Sequence, residues 1–337
     1  PLMPSDWDAQ HLNGKQSPRT TRDLKAAIDA TVAKQGVFSL CFHAHGWIGG
    51  HQLVEMIDHA EAAHRGKVKF LSFGEVERRI NKNLLGGQPL RAANGQDNGV
   101  RILDVNHDGY MDVVVGNDQV RTTRIWSPET GRWHTAELPV KIVAVDSSGN
   151  RRDRSARFGV LRREGAASIL VANDDPAGVW HFDGGEWVAD ATGLAGLDPK
   201  AFASGSPGDC GVRLRDLDLD GVCELIVGRG KPTCVFQWSA DRRTWLIAPF
   251  ALPEGTSIVD AQGRDAGLRF VDVDLDGHAD VVFSNAQRYS VDLFTSMTEG
   301  WSGRLLAGRR GDRKPEREVP MIVRADGTNN GAWFKYG

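Results

Sequence analysis

The chain has 337 residues, of which 40% are hydrophobic and 25% charged, and its formal net charge is −3. This composition is typical of a globular protein with two domains or one large repeat array. The small net charge gives no reason to expect a nucleic-acid partner, and no apolar run approaches the length of a membrane span. The four cysteines lack the C-x-x-C spacing of a zinc site and leave the disulfide state open.

Residues 1–86 alternate between helical patterns and short apolar runs. The predicted helices run from a Thr20 or Thr21 cap to Gly36, over 52–64 and over 75–85, and the predicted strands cover 37–42 and 68–73. Strands that alternate with helices indicate a parallel sheet, in which active residues lie at the carboxyl ends of the strands. His43 lies at such an end.

The order of motifs in this segment resembles the last third of the polysaccharide deacetylase (NodB-homology) fold. The motifs are Asp6-Trp7, a helix, Leu40-Cys41-Phe42-His43, and a final strand and helix. The resemblance implies that 1–86 are the C-terminal α/β portion of a (β/α) barrel. It also implies that His43 is the general acid that protonates the leaving amine, that Asp6 orients His43, and that Trp7 walls the acetyl pocket. The family's metal-binding motifs are absent, so a catalytic divalent metal is expected only in a longer parent protein.

From residue 87 onward the sequence repeats with a period of 56 residues. VRILDVNHDGYMDVVVGND from Val100 recurs as VRLRDLDLDGVCELIVGRG from Val212 and as LRFVDVDLDGHADVVFSNA from Leu268, with a fainter copy between the first two. The turn glycines of the four copies are Gly109, Gly165, Gly221 and Gly277. Each copy predicts two hairpins, and four strands in a repeat of this length are typical of a β-propeller blade; the competing solenoid repeats are usually shorter or helical.

The end of the chain predicts the start of a fifth repeat, because residues 324–334 echo residues 91–102. Four complete repeats and the beginning of a fifth do not readily close a propeller ring. We therefore expect 87–337 to be a run of propeller blades inside a longer protein whose blade number is open.

Three copies carry oxygen-bearing side chains at positions one, three, five and nine around the Asp-Gly turn, which is a pattern that binds Ca²⁺ with a carbonyl at position seven. The predicted ligands are Asp104, Asn106, Asp108, Tyr110 and Asp112; Asp216, Asp218, Asp220, Val222 and Glu224; and Asp272, Asp274, Asp276, His278 and Asp280. Position twelve lies inside a strand, which excludes an EF-hand. The second copy has Val160, Arg162, Glu164 and Ser168 at these positions, so calcium is predicted to brace individual blades rather than to catalyse a reaction.

These motifs resemble the FG-GAP/VCBS repeats of integrin-like propellers over about residues 88–337. The resemblance implies that the domain recognises a glycan or a protein. Three functions stay open: a carbohydrate deacetylase with an attached recognition propeller, a binding or adhesion module without catalysis, and a propeller enzyme such as a polysaccharide lyase or sugar dehydrogenase. Calcium loops of this type favour an extracellular or cell-envelope location, with a polysaccharide or glycoprotein surface as the partner. The oligomeric state stays open.

Overall fold

The computed structural model describes residues 4–172, 176–198, 202, 209–229, 232–312, 314, 317–332 and 334. The chain divides into two compact units, Pro1–Asn83 and Leu84–Gly337. None of the helices in the described ranges combines the length and the apolar character that crossing a membrane requires.

The first unit is helical. Its elements are α1 (Asp6–Asn13), α2 (Pro18–Ala33), α3 (Gly50–Ala63) and α4 (Phe73–Arg79), and α4 leads into a π-helical turn (Ile80–Leu84). Ser5 caps α1 by accepting a hydrogen bond from the Trp7 N–H, and Ser17 caps α2 ahead of a proline at the first helical position. The core lies between α2 and α3 and contains Leu24, Ile28, Ile48, Met56 and Ala60.

The predicted α/β architecture of the first unit is wrong for its described residues. The runs at 37–42 and 68–73 form no strand, and the only pairing there is a parallel bridge between Ser5 and Cys41. An apolar run becomes a strand only where a neighbour satisfies its backbone groups. Consistent with the missing neighbour, the Phe42 and Phe70 side chains are half exposed.

The predicted helices of this unit are present with different ends. Thr20 and Thr21 lie inside α2 rather than capping it, and the Thr21 hydroxyl accepts a hydrogen bond from Gln52 Nε2 at 2.7 Å. The α1 helix was not predicted, although Ser5 followed by two acidic residues in the first turn is a local start signal.

The second unit is built from antiparallel sheets. Its described strands form four sheets of four strands and one two-stranded hairpin. The four sheets comprise β1 (Val100–Leu103), β2 (Asp112–Gly116), β3 (Arg121–Ser127) and β4 (Arg132–Glu137); β7 (Arg157–Val160), β8 (Ala167–Val171), β9 (Gly178–Asp183) and β10 (Glu186–Asp190); β11 (Val212–Arg215), β12 (Glu224–Val227), β13 (Cys234–Ser239) and β14 (Thr244–Ile247); and β15 (Leu268–Val271), β16 (Asp280–Ser284), β17 (Arg288–Leu293) and β18 (Gly303–Arg309). The hairpin pairs β5 (Val143–Val145) with β6 (Arg151–Asp153).

Each sheet contains one 56-residue repeat, with its strands in chain order, as the two predicted hairpins require. The second strand of each sheet is buried along its length, because it lies between two strands and between two layers of side chains. Apolar clusters join the first sheet to the second, the second to the third, and the third to the fourth. Successive repeats therefore stabilise one another through shared cores.

Truncation of Ile226 to alanine should destabilise the second unit by about 2–5 kcal/mol, because the side chain is fully buried in β12 and its loss leaves a cavity. Ile247 in β14 of the same sheet is a matched control, since it is 69% exposed and Ile247→Ala should change stability by less than about 0.5 kcal/mol. Urea unfolding followed by tryptophan fluorescence measures both. Equal losses would contradict this placement of the core.

Candidate functional site

Three loops join the first strand of a sheet to its second with one shared backbone geometry. Position four of each loop is left-handed, with φ of 61° at His107, 63° at Leu219 and 65° at Leu275. This conformation costs a residue with a side chain about 1 kcal/mol, so its recurrence indicates a common interaction that holds the turn. In the second repeat, Arg163 occupies this position and is not among the described residues with positive φ.

The carboxylate at position one closes each of these loops. The Oδ2 atoms of Asp104, Asp216 and Asp272 accept a hydrogen bond from the N–H of the turn glycine at 2.8, 3.0 and 3.0 Å. The carboxylate at position five then accepts the N–H at position seven at 2.8 Å. These pairs are Asp108 with Tyr110, Asp220 with Val222, and Asp276 with His278. In all three loops, acidic side chains therefore hold the turn by accepting hydrogen bonds from its backbone.

Carboxylate oxygens converge in two of the loops. Two groups of residues have ligand atoms that lie within 4.8 Å of one another: Asp216, Asp218 and Glu224, and Asp272, Asp274 and Asp276. The Oδ1 atoms of Asp216 and Asp272 are buried and accept no hydrogen bond from the described residues. A buried acceptor without a donor is costly, and a bound cation would satisfy it. These clusters can hold a metal ion.

The first loop has the same fold but a less acidic donor set. Asn106 takes the place of a carboxylate at position three, and its Nδ2 donates to Asp108 Oδ2 at 3.0 Å. The amide oxygen remains as a ligand for a hard cation, so the loop offers oxygen donors at lower charge.

The position-nine carboxylates have a role that the sequence did not indicate. Asp112, Glu224 and Asp280 are buried beneath their loops. Asp112 accepts the N–H of Val105 at 2.9 Å and that of Trp126 at 2.8 Å, and Asp280 makes the equivalent two bonds. Asp112 and Asp280 therefore join the loop to the third strand or its end, while Glu224 accepts the loop N–H of Leu217 at 2.8 Å. Burial, followed by the charge of neighbouring loop carboxylates, raises the pKa of all three, and that of Glu224 to about 8.

The second repeat replaces the acidic loop by a hydrogen-bond network. The Oγ of Ser168, which occupies position nine, lies 2.8 Å from His181 Nδ1, and His181 Nε2 lies 3.2 Å from Asp190 Oδ2. Arg162, at position three, pairs with the same carboxylate at 3.6 Å. Burial and the positive charge of Arg162 lower the pKa of His181. Burial alone would raise the pKa of Asp190, but hydrogen bonds from Thr192 and His181 lower it to about 2.

A second recurring motif was missed in the sequence. An aspartate and an arginine four residues apart open the first strand of every sheet and form two parallel hydrogen bonds between guanidinium and carboxylate. We call these pairs the Asp–Arg clamps. They are Asp97–Arg101, Asp153–Arg157, Asp209–Arg213 and Asp265–Arg269. Their 56-residue spacing was the available signal, and it includes the repeat that has no acidic loop.

One clamp also connects two repeats. Arg157 Nη2 contacts Asp153 and Asp209 at 2.8 Å each, so Asp209 accepts hydrogen bonds from the arginines of two neighbouring sheets. Burial alone would raise the pKa of Asp209, but the hydrogen bonds from Arg213 and the charge of Arg157 lower it to about 2. Burial acts against the charged form of Arg157, but the nearby negative groups raise its pKa.

A cleft of about 410 Å³ opens between the third and fourth sheets, beside this shared pair. Its walls combine the guanidinium groups of Arg213, Arg215 and Arg269 with the carboxylates of Asp209 and Asp265. The Phe270 ring completes the wall, and the Arg215 guanidinium lies over it at 5.8 Å. The cleft therefore offers hydrogen-bond donors, acceptors and an aromatic face within one space.

In the first unit, the structure brings Asp6 and His43 together. The Asp6 carboxylate is fully buried and lies 2.7 Å from His43 Nδ1 through one oxygen and 2.7 Å from the His43 N–H through the other. Burial works against the charged carboxylate, but the hydrogen bonds from His43 lower the pKa of Asp6. The His43 side chain is 41% exposed, and its ring is held in place through Nδ1.

Trp7 does not contact His43 among the ring contacts of the described residues. Its half-exposed ring lies against His11, with 4.4 Å between ring centroids. The aromatic side chain beside His43 is Trp47, at 5.2 Å, and His45 lies on the same side at 6.0 Å. Trp47, rather than Trp7, is therefore the tryptophan in ring contact with His43 among the described residues.

No family model and no curated protein sequence matches this chain. Among solved structures, a similar one is a lectin of Agrocybe aegerita that specifically recognises non-reducing terminal N-acetylglucosamine. The TM-score is 0.40 at 17% sequence identity, over 62% of this chain and half of that lectin. Similarity at this level does not bear on what this chain binds.

Replacement of Asp209 by asparagine should destabilise the second unit by about 1–3 kcal/mol, because two arginines lose an ionised partner. Asp97→Asn is the matched control, since Asp97 is bound by one arginine and its replacement should cost less stability.

The pKa of Asp209 is lower in the folded than in the unfolded state. Its stabilisation is therefore present above about pH 4 and is lost as the pH falls towards about 2. Urea unfolding at pH 7 and pH 2.5 measures both effects, and equal losses at pH 7 would contradict the shared clamp.

Proposed function

We propose that the repeats are blades of a calcium-braced β-propeller that recognises a carbohydrate surface. The blade assignment is supported by four-stranded antiparallel sheets in chain order and by the apolar clusters between successive sheets. It is also supported by the segment after the fourth sheet, where Ile322 and Val323 pack on Val271 and Val282 as the next lead-in.

The main support for the calcium proposal is the contrast between the three acidic loops and the corresponding loop of the second repeat. The three acidic loops share a left-handed residue at position four and the same internal hydrogen bonds, while the second repeat has a network that includes its own cation, Arg162, instead. A bound cation explains why strained turns and crowded carboxylates occur together. Hard oxygen donors without nitrogen or sulfur favour Ca²⁺ over transition metals.

The recognition role is supported by the chemistry of the cleft between the third and fourth sheets. Sugars present hydroxyl groups at their edges and C–H groups on their faces. The lining of the cleft includes partners for both, because Arg215, Arg269 and Asp265 carry polar groups and Phe270, Leu268 and Ile258 carry apolar ones. A carbohydrate partner outside the cytosol is consistent with loops of this type, which saturate at millimolar calcium.

Calcium titration of the chelator-treated chain should reveal three sites, and Asp276→Ala, which removes a ligand oxygen, should reduce the number to two. Free calcium at about ten times Kd should add about 1.4 kcal/mol of stability per site, which appears as a higher unfolding midpoint. Glu164→Ala is the matched control, since Glu164 holds the same loop position in the repeat without a site. Isothermal titration calorimetry counts the sites. A folded chain with no calcium-dependent midpoint, or an unchanged count in Asp276→Ala, would refute the proposal.

A second candidate function is supported by the Asp6–His43 pair. A buried carboxylate that orients an accessible imidazole is a general acid–base arrangement, and the Trp47 and His45 rings lie beside it. On this proposal His43 protonates the leaving amine when an acetyl group is removed from a glycan.

Binding and turnover assays separate the two candidates. If the recognition module is the function, the chain should bind oligosaccharides in a screen, with the same affinity in His43→Ala and at least tenfold weaker binding in Arg215→Ala. If the deacetylase is the function, acetate release should fall by a factor of about 10²–10⁴ in His43→Ala and in Asp6→Asn. The exposed His11→Ala is the control for both assays. Binding that is insensitive to Arg215 would exclude the cleft as the glycan site.

A further inference from the structure

Three side chains of the first unit converge at one end of its core, outside both sites described above. Asp29 belongs to α2, His59 to α3, and His64 is the residue at which α3 ends. We propose that Asp29, His59 and His64 form a binding site for a late first-row divalent metal ion, with Zn²⁺ as the ion that the donor set favours.

The geometry brings three ligand atoms to one point. Asp29 Oδ1 lies 2.7 Å from His59 Nε2 and 2.6 Å from His64 Nε2, and all three atoms lie within 4.8 Å of one another. The two imidazole rings are nearly perpendicular, with centroids 6.0 Å apart.

The helices fix these positions through packed neighbours. Asp29 follows the buried Ile28, and His59 precedes the buried Ala60, which both belong to the α2–α3 core. The backbone at two of the ligands is therefore held by the core. Such pre-organisation lowers the cost of assembling a metal site.

The donor set and the spacing fit zinc. Zn–N and Zn–O bonds are about 2.0–2.2 Å, so tetrahedral ligand atoms lie about 3.3 Å apart, and the observed contacts need to open by less than about 1 Å. The side chains have room to move apart by this distance because none of the three is fully buried. The half-exposed Asp29 leaves the remaining coordination position open to water. Two imidazole nitrogens select against calcium and magnesium, so the site is chemically distinct from the acidic loops of the second unit.

Without metal, the same contacts form a hydrogen-bonded triad. Asp29 Oδ1 then accepts an N–H from each imidazole, and hydrogen bonds from His64 and His59 lower the pKa of Asp29. Metal binding exchanges these protons for the ion, because the ligating nitrogens must be unprotonated. The triad thus holds the ligands in place before the metal arrives.

The test is zinc titration of the tag-free, chelator-treated full chain, measured by calorimetry against a competing chelator. We expect one equivalent of zinc bound with a micromolar or lower Kd, and at least a hundredfold weaker binding in His59→Ala and in His64→Ala. Cobalt(II) should give the visible absorption of a tetrahedral complex in the native chain and not in these variants. Asp29→Asn keeps the shape of the side chain and should weaken binding without unfolding α2, which circular dichroism checks.

Two control variants locate the ion. His11→Ala removes an exposed histidine, and His43→Ala removes the histidine of the Asp6 pair; both should leave zinc affinity unchanged. Zinc binding that survives His59→Ala and His64→Ala would place the ion elsewhere and overturn the proposal. An absence of stoichiometric binding up to about 0.1 mM free zinc would equally overturn it and leave a hydrogen-bonded triad only.

Discussion

A guanidinium group held by two hydrogen bonds to a carboxylate opens each of the four described four-stranded sheets of the second unit and fixes where the first strand begins. The clamp aspartate also accepts a backbone N–H two residues later, which fixes the chain as it enters the first strand. A one-residue slip of that strand would turn its side chains to the opposite faces. The clamp occurs in the second repeat as well, so it is more general in this chain than the acidic loop.

The hairpins and the loops were predictable because their determinants are local. The apolar run Val113–Val115, the Asp-Gly turn and the preceding strand lie within twenty residues of one another, and the sequence repeats them. The anchoring role of Asp112 was not predictable in the same way. Its partner Trp126 lies fourteen residues further on, in the third strand, which reaches the loop by pairing with the second strand. A charge pattern identifies acidic side chains without identifying the donors that they contact.

The first unit shows the limit of periodicity as a guide. Three of its helices were anticipated from apolar spacing, without α1 and without the cap of α2, but the two apolar runs predicted as strands have no ladder partner in the described residues. Strand formation depends on a neighbour elsewhere in the chain, and periodicity does not report neighbours. The contact between Asp6 and His43 spans 37 residues and was anticipated only through a family resemblance. The approach of Asp29 to His59 and His64 had no signal in the sequence pattern.

The network of the second repeat has a consequence for how the array assembles. In this repeat the place of the acidic loop is taken by contacts between its own side chains, which are Ser168, His181, Asp190 and Arg162. Its sheet shares apolar clusters with the first and third sheets, and Arg157 reaches into the third. The second repeat is therefore coupled in stability to both of its neighbours through these interfaces, as in other linear arrays.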